Sequence, residues 1–546
     1  MLKKRRTFII GLGAALLCSL FLILNVANVQ AKQVLQLGAQ APLDTIDIST
    51  STGYGQTGNI FESLYRLGKK GKIEAGLAKS SQVSDDGLTW TFKIRKAQFS
   101  NGDPIRAQDF VYSWQRTIKP TTKSPYTNLF SNIKNAPAIA DGKLDPKQLG
   151  VKALDKHTLQ VMLTKPVAYM KTLMAYPLFA PQDQKVIEKY GKKYATKSKY
   201  MVYSGPFKLK GWSGTSEEWQ FKKNPRYWDY KKVKLSAVKF TVLENTSTAL
   251  YLYQDGRLDL TQLDNQQVEN YSSNRDFKRY PYAQTYFLKY NFNSDNQQVK
   301  HILNNQDARL ALSLAINRKT MNNRLYGFKT NPVTGFVASG LANSPVKKVD
   351  FAKSQAVPHT VDYEPKLAKE YWQKALKATG MKKVTLSLTV DSDDPNTSYV
   401  SQYLKGQLEE ILPGFHLNLR TVPSQVASSR DHEGDYDILL SAWGADFKDP
   451  ISFLEIMLPG AANNTGGFKN ADYQKNVDLA TNQDANDPSQ RWADMVEATQ
   501  VLNRTQSLTP LYQNETGYLQ NPKVKGIIHN TAGTQWSYKT AYIKGQ

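Results

Sequence analysis

Only one stretch of this chain is apolar enough to sit in a bilayer, and it stands at the front, so everything behind it is expected to fold as a soluble body outside the membrane. The chain opens MLKKRR, and an uncharged, mostly apolar stretch then runs from Thr7 to Ala31. It ends in VQA, with Val29 and Ala31 at the small-residue positions that a signal peptidase reads. Residues 1–31 therefore read as a signal peptide. The apolar part, Thr7 to Leu24, exceeds the ~7–15 residues usual for such a segment and approaches the ~20 of a spanning helix, so retention as an uncleaved anchor is the alternative. Cys18 follows Leu17 and precedes LFLIL, without the small residue that lipidation needs, so no lipid is expected. The body is placed at the outer face of the cytoplasmic membrane or in the cell envelope, tethered or released.

At 546 residues the chain is too long for one core, because single cores stop growing near ~250–300 residues, and at least two lobes follow. With 40% apolar residues and 30 tyrosines it can fold throughout. Its single cysteine excludes an internal disulfide framework and thiolate-rich metal sites. The net charge is +24, with four of the positive charges in MLKKRR. The lysines are spread along the whole chain and form no Arg/Lys-rich helix with interleaved aromatics, so an anionic envelope is the expected neighbour and nucleic acid is not.

Periodicity predicts a mixed α/β body. Strands are expected at 33–40, 87–96, 157–163, 238–244, 384–390 and 415–422, and along DYDILLSAW at 435–443. NIFESLYRL at 59–67 reads as helix-like. FVYSWQRTI reads as a helix with Phe110, Trp114 and Ile118 on one face. Residues 308–327 read as one amphipathic helix with Arg318 and Lys319 on a solvated face. Residues 364–379 read as a helix with Leu367, Tyr371 and Leu376 inward. The strand–helix–strand run over 384–422 reads as a βαβ unit. Crossings between lobes are expected near 280–290 and 500–510. Open α/β lobes bind ligands at the carboxyl ends of their strands, which points to the loop WGAD behind the apolar strand at 435–443.

No motif for covalent chemistry is present. The six histidines form no pair at metal spacing, and GxSxG, HExxH, GxGxxG and GxxxxGK[ST] are all absent. Two distant carboxylates of a glycosidase would escape such a search. The chain reads as a binder rather than an enzyme, with no cofactor and no metal.

Several segments together resemble the extracellular solute-binding proteins, family 5, and within them the oligopeptide-binding (OppA-type) members that serve peptide ABC importers. The main block is GLAKSSQVSDDGLTWTFKIRKAQFSNGDPIRAQDFVYSWQR, 76–116. SGPFKLKGW, NPRYWD, YQDGRLD, RLALSLAINR and WGADFKDPISFL follow in the family's order, and the resemblance covers nearly the whole chain behind residue 31. It implies a two-lobed periplasmic-binding-protein-like fold (type II, large cluster C form) with an extra inserted domain. Lobe I would be 32–58 plus 200–285 plus 505–546, the inserted domain 59–199, and lobe II 286–504. The implied action is closure of the lobes on an oligopeptide of varied sequence and delivery to the membrane permease subunits of an ABC importer, by a monomer. A same-fold receptor for a signalling peptide, dipeptide or other small solute is the alternative.

The resemblance also implies site residues. The aspartate of W-x-A-D holds a peptide's α-amino group in oligopeptide-binding relatives, and here that is Asp446; the competing reading is a turn-capping aspartate. Trp443 either walls the first side-chain pocket or belongs to the core. Gly444 and Ala445 are placed to offer backbone groups to an extended peptide. Tyr126 resembles a tyrosine that the inserted domain brings near the ligand, and a packed surface tyrosine is the alternative. Leu440 stands where some relatives carry arginine, and Ala41 and Ile48 stand where the family often has an acid and a proline, so the charge scheme around the cleft differs.

Overall fold

The computed structural model describes residues 33–545 apart from 44, 52, 328, 329 and 331. The expected signal segment lies outside the described residues, and among those described no helix is long and apolar enough to cross a membrane.

Fourteen strands carry the architecture: β1 Val34–Ala39, β2 Ala78–Val83, β3 Thr89–Ile94, β4 Val151–Asp155, β5 Thr158–Met162, β6 Phe207–Lys210, β7 Glu218–Lys223, β8 Ala237–Val242, β9 Leu260–Gln262, β10 Phe277–Tyr290, β11 Val384–Asp391, β12 Phe415–Val422, β13 Ile438–Gly444 and β14 Leu508–Gln520. Ten of them form one sheet in the order β12-β11-β13-β10-β14-β9-β1-β8-β7-β6. The βαβ expectation holds: β11 and β12 pair in parallel, Val384 opposite Phe415, around helix Pro395–Ile411. The long strands β10 and β14 run antiparallel through the middle of the sheet. Their register shifts between Pro281 and Thr285 and again between Tyr286 and Phe287, so the sheet is irregular where its two halves meet. On one side of these shifts the sheet continues into β9, β1 and β8, and on the other into β13 and β11.

The chain between β1 and β6 builds a separate four-stranded sheet, β2-β3-β5-β4. Helix Ala107–Ile118 buries Phe110, Trp114 and Ile118, the expected face, and the Trp114 indole donates to the Phe179 carbonyl at 3.1 Å. A second core gathers around β11, β12 and the helices on them, with Trp372, Leu404 and Phe415 fully enclosed.

Four local expectations change. NIFESLYRL is a 3-10 turn, a loop and the short strand Tyr65–Leu67 rather than a helix. Residues 308–327 form two helices, Gln306–Leu314 and Arg318–Tyr326, because the Asn317 side chain caps the second by accepting from the Thr320 N–H at 3.1 Å. Arg318 is buried, not solvated, while Lys319 is exposed. Helix Pro365–Thr379 turns Ala368, Trp372 and Ala375 fully inward, leaving Leu367, Tyr371 and Leu376 at the margin.

Two sets of contacts close the molecule on itself. Phe447 stacks on Tyr169 of the inserted region, ring centroids 4.5 Å apart and 11° from parallel, and the Lys448 ammonium donates to the Lys70 carbonyl at 2.7 Å. At the far side of the central strands the Asn265 amide donates to Asn396 at 3.4 Å, joining the starts of helices Asn265–Tyr271 and Pro395–Ile411.

Candidate ligand-binding site

Strand β13 leads directly to the site. Its first three residues, Ile438 to Leu440, are buried, and from Ser441 onward the chain becomes half-exposed. Leu440 belongs to the second core, opposite Leu288 on β10, so the arginine of some relatives is replaced by packing and not by another charge. Trp443 lies opposite Thr285 and Gly444 opposite Gln284, and the Ala445 N–H continues the ladder to the Ala283 carbonyl at 2.7 Å. That N–H is therefore committed within the protein. The pairing ends at Asp446, which projects past the last rung.

Ser452 fixes the end of the loop. Its carbonyl accepts from the Trp443 indole at 2.7 Å, and its hydroxyl accepts from the Asp446 backbone N–H at 3.0 Å. Asp449 accepts from the Ile451 N–H and forms a two-pronged ion pair with Arg491, at 2.8 and 3.0 Å. These bonds hold the turn WGADFKDPIS rigid, as a site that must present one side chain requires.

Trp443 and Asp446 line a cavity of about 250 Å³ between this turn and the chain that joins β1 to β6, together with Asn128, Asn132, Tyr169 and Glu455. The Asp446 carboxylate has no hydrogen bond or ion pair in the described structure, and burial pushes its pKa up to about 6. An ionised carboxylate held partly out of water without a cation is in the state that a ligand ammonium relieves. Asp446 thus projects into a cavity, with its backbone and not its side chain stitching the turn. Trp443 is part of both readings: its ring packs half-buried on the core and also walls the cavity.

Tyr126 lies beside this cavity without lining it. It packs in a cluster with Tyr54 and Tyr176, centroids 5.7 and 6.3 Å away, and its pKa is raised first by burial and then by the charge of Asp446. Gly444 and Ala445 also stay out of the lining, in the backbone ladder with Gln284 and Ala283. Gln284 links the two ends of the junction: its side chain accepts from Asn514 at 2.7 Å, and Asn514 lines a second cavity of about 390 Å³. Gln40, Asp264, Tyr286 and Asp394 share that lining. Asp394 caps helix Pro395–Ile411 through the Asn396 N–H and accepts from the Tyr286 hydroxyl at 3.2 Å. A third cavity, of about 250 Å³, opens at the carboxyl end of β1 and includes Ala41.

Sequence reading missed Ser452, Glu455, Asn128 and Asn132. The first two follow the motif aspartate within DPISFLE, where nothing local separates a polar residue that faces a cavity from one that faces water. The two asparagines come from a segment without regular periodicity, where no pattern marks a position. Among the described residues no group of three or more His, Cys, Asp or Glu is placed to hold a metal ion.

Comparison with known proteins agrees with this architecture. The family model for bacterial extracellular solute-binding proteins, family 5, matches residues 72–465. A dipeptide-binding protein of Lactococcus lactis subsp. cremoris is 34% identical over 514 residues, 92% of each chain. Among solved structures, Listeria monocytogenes OppA bound to peptide superposes with a TM-score of 0.77 at 33% identity, covering 94% of this chain and 100% of that one. The pheromone receptor PrgZ, described with its mode of peptide binding, also gives 0.77, at 32% identity, with 94% and 100% covered. The fold is the α/β two-lobed periplasmic-binding fold, and the chain belongs to the bacterial extracellular solute-binding proteins, family 5.

Proposed function

We propose that this protein captures oligopeptides outside the cytoplasm by closing two lobes over them and hands them to the membrane subunits of an ABC importer. The carrying observation is Asp446: a half-buried carboxylate without a cation, at the end of a sheet strand, facing a cavity walled by an indole. An α-ammonium placed there gains a charge-assisted hydrogen bond in a site from which closure expels water. The relatives named for dipeptides, oligopeptides and a pheromone all take ligands with a peptide backbone, which supports the class and leaves the preferred length to this chain's own cavities.

In this reading Trp443 walls the first side-chain pocket, Tyr126 buttresses it, and Gly444 forms the backbone edge along which the peptide lies, the Ala445 N–H being taken by the Ala283 carbonyl. The division into lobe I (32–58, 200–285, 505–546), inserted domain (59–199) and lobe II (286–504) follows from it, with β10 and β14 as the crossing strands. No bond of the peptide is made or broken, and the protein acts as a monomer at the outer face of the cytoplasmic membrane.

Mass spectrometry of peptides that co-purify with the exported protein identifies the ligand, and unchanged termini after incubation mark binding without cleavage. Calorimetry with Asp446→Ala tests the site. Affinity for free-amine peptides falls by about two orders of magnitude, as expected for losing a buried charge-assisted partner, while N-acetylated peptides are little affected. Equal loss for both would remove Asp446 from the ammonium-binding role.

A further inference from the structure

A second carboxylate shares the Asp446 cavity. Glu455 lines the same cavity, is half-buried, and its carboxylate makes neither a hydrogen bond nor an ion pair among the described residues. The groups whose charges reach it are engaged elsewhere or stand apart. Arg491 is bound two-pronged to Asp449, the Tyr473 hydroxyl donates to the Leu454 carbonyl at 2.6 Å, and Lys165 forms no ion pair with it. Burial raises its pKa; the charges of Lys165 and Arg491 oppose the rise, and those of Asp449 and Asp446 add to it. The rest of the lining suits a long amphipathic side chain: Leu129, Leu173 and Ile456 are apolar, and Asn128 and Asn132 share the wall.

We infer that Glu455 selects ligands whose leading residue is lysine or arginine, with Asp446 taking the α-ammonium and Glu455 the cationic end of the side chain. This rests on the reading of the Asp446 cavity given above. Two carboxylates repel each other in the empty cavity, and one ammonium neutralises only one of them. A leading Lys or Arg supplies both cations from a single residue, with its methylene stem against the apolar wall. A neutral first residue leaves Glu455 desolvated and unpaired on closure, which disfavours that ligand as much as the cation favours the other.

The test compares matched peptides of two to six residues that begin with lysine or with norleucine, which has the same number of side-chain carbons without the charge. The readout is the ratio of their affinities at pH 7.5 by calorimetry. The wild-type protein should prefer the lysine-first member by at least about tenfold, and Glu455→Gln should bring the ratio close to one. A wild-type ratio near one overturns the inference even if the variant fails to fold, and so does a preference that survives in folded Glu455→Gln. Both outcomes leave the peptide-binding reading intact, because the peptides still bind. If neither member of any pair binds, the reading of the cavity itself falls, and the inference with it.

Discussion

Asp446 shows how one residue can serve binding at the expense of the fold. Its carboxyl titrates near 6 in the folded protein because burial disfavours the charged form. In the unfolded chain it titrates near 3.8. Between those values the native state holds the extra proton, so stability declines as pH rises through the window, and the penalty is complete above about 6. Asp446→Asn should therefore raise the stability of the unliganded protein by about 1–2 kcal/mol at pH 7.5. The gain should vanish by pH 4, a difference that thermal denaturation at the two pH values reads directly. The same titration governs the ligand: affinity for free-amine peptides should fall as pH drops below about 6, approaching tenfold per unit, and this fall should be absent in Asp446→Asn. A variant that loses affinity without gaining stability at pH 7.5 would show that the carboxylate has a partner in the empty site. The aspartate was legible in the sequence through its motif and its place after an apolar strand. Glu455 was not, because a lone glutamate in a helical turn carries no local sign of whether it meets water or a cavity.

At the scale of elements, Arg318 marks where local periodicity fails. The run ARLALSLAINRKT has a helical apolar pattern, and an arginine at its end reads as solvent-facing by rule. The helix instead stops at Leu314, and Arg318 turns inward, donating to the Pro510 carbonyl at 2.6 Å, to Ser313 and Val361 carbonyls at 2.9 Å, and to the Ser313 hydroxyl at 2.8 Å. No carboxylate pairs with it by salt bridge among the described residues, so its charge is held by carbonyl dipoles, and burial lowers its pKa to about 10. It remains a cation at neutral pH. The guanidinium joins the break between two helices to strand β14, a job that needs several donors in one plane. Arg318→Lys keeps the charge but cannot reach all these acceptors, and should lower stability by about 2–4 kcal/mol in urea denaturation. Arg318→Ala should cost at least as much. A loss below about 0.5 kcal/mol for the lysine variant would mean that water replaces the missing donors. Ser313 is only five positions away, but the Val361 and Pro510 carbonyls lie 43 and 192 positions away, and no local window of sequence contains them. Gly205 is a similar case in SGPFKLKGW: a Cβ there would lie 2.5 Å from the Ile60 carbonyl carbon, so the glycine answers to a chain crossing, not to the turn that its neighbours advertise.

For the whole molecule, the order of six family-like segments and the parallel β11–β12 unit made the α/β class readable, but the joining of both halves through a single sheet was not. Strand periodicity places residues on faces and is silent on which strand lies next to which. The continuous sheet also sets how the clamp can move. Strands β10 and β14 pass between the halves together, and their register breaks over Pro281–Thr285, so bending is concentrated where the ladder is interrupted. Motion about that region must separate Asn265 from Asn396, which touch across the junction at 3.4 Å beside the cavity lined by Asp394 and Asn514. Replacing both by cysteine and bridging them with a short reducible bis-maleimide should hold the lobes shut, and Cys18 is the chain's only other thiol. Protein locked empty should take up no peptide. Protein locked after loading should release none over hours, and reduction should restore both exchange steps to the unmodified rate. The two single-cysteine variants, treated identically, should exchange normally, which separates locking from modification of either residue. If doubly substituted, bridged protein exchanges ligand as fast as the untreated form, the lobes do not need to part at this junction, and peptide enters by a route that leaves the Asn265–Asn396 contact closed.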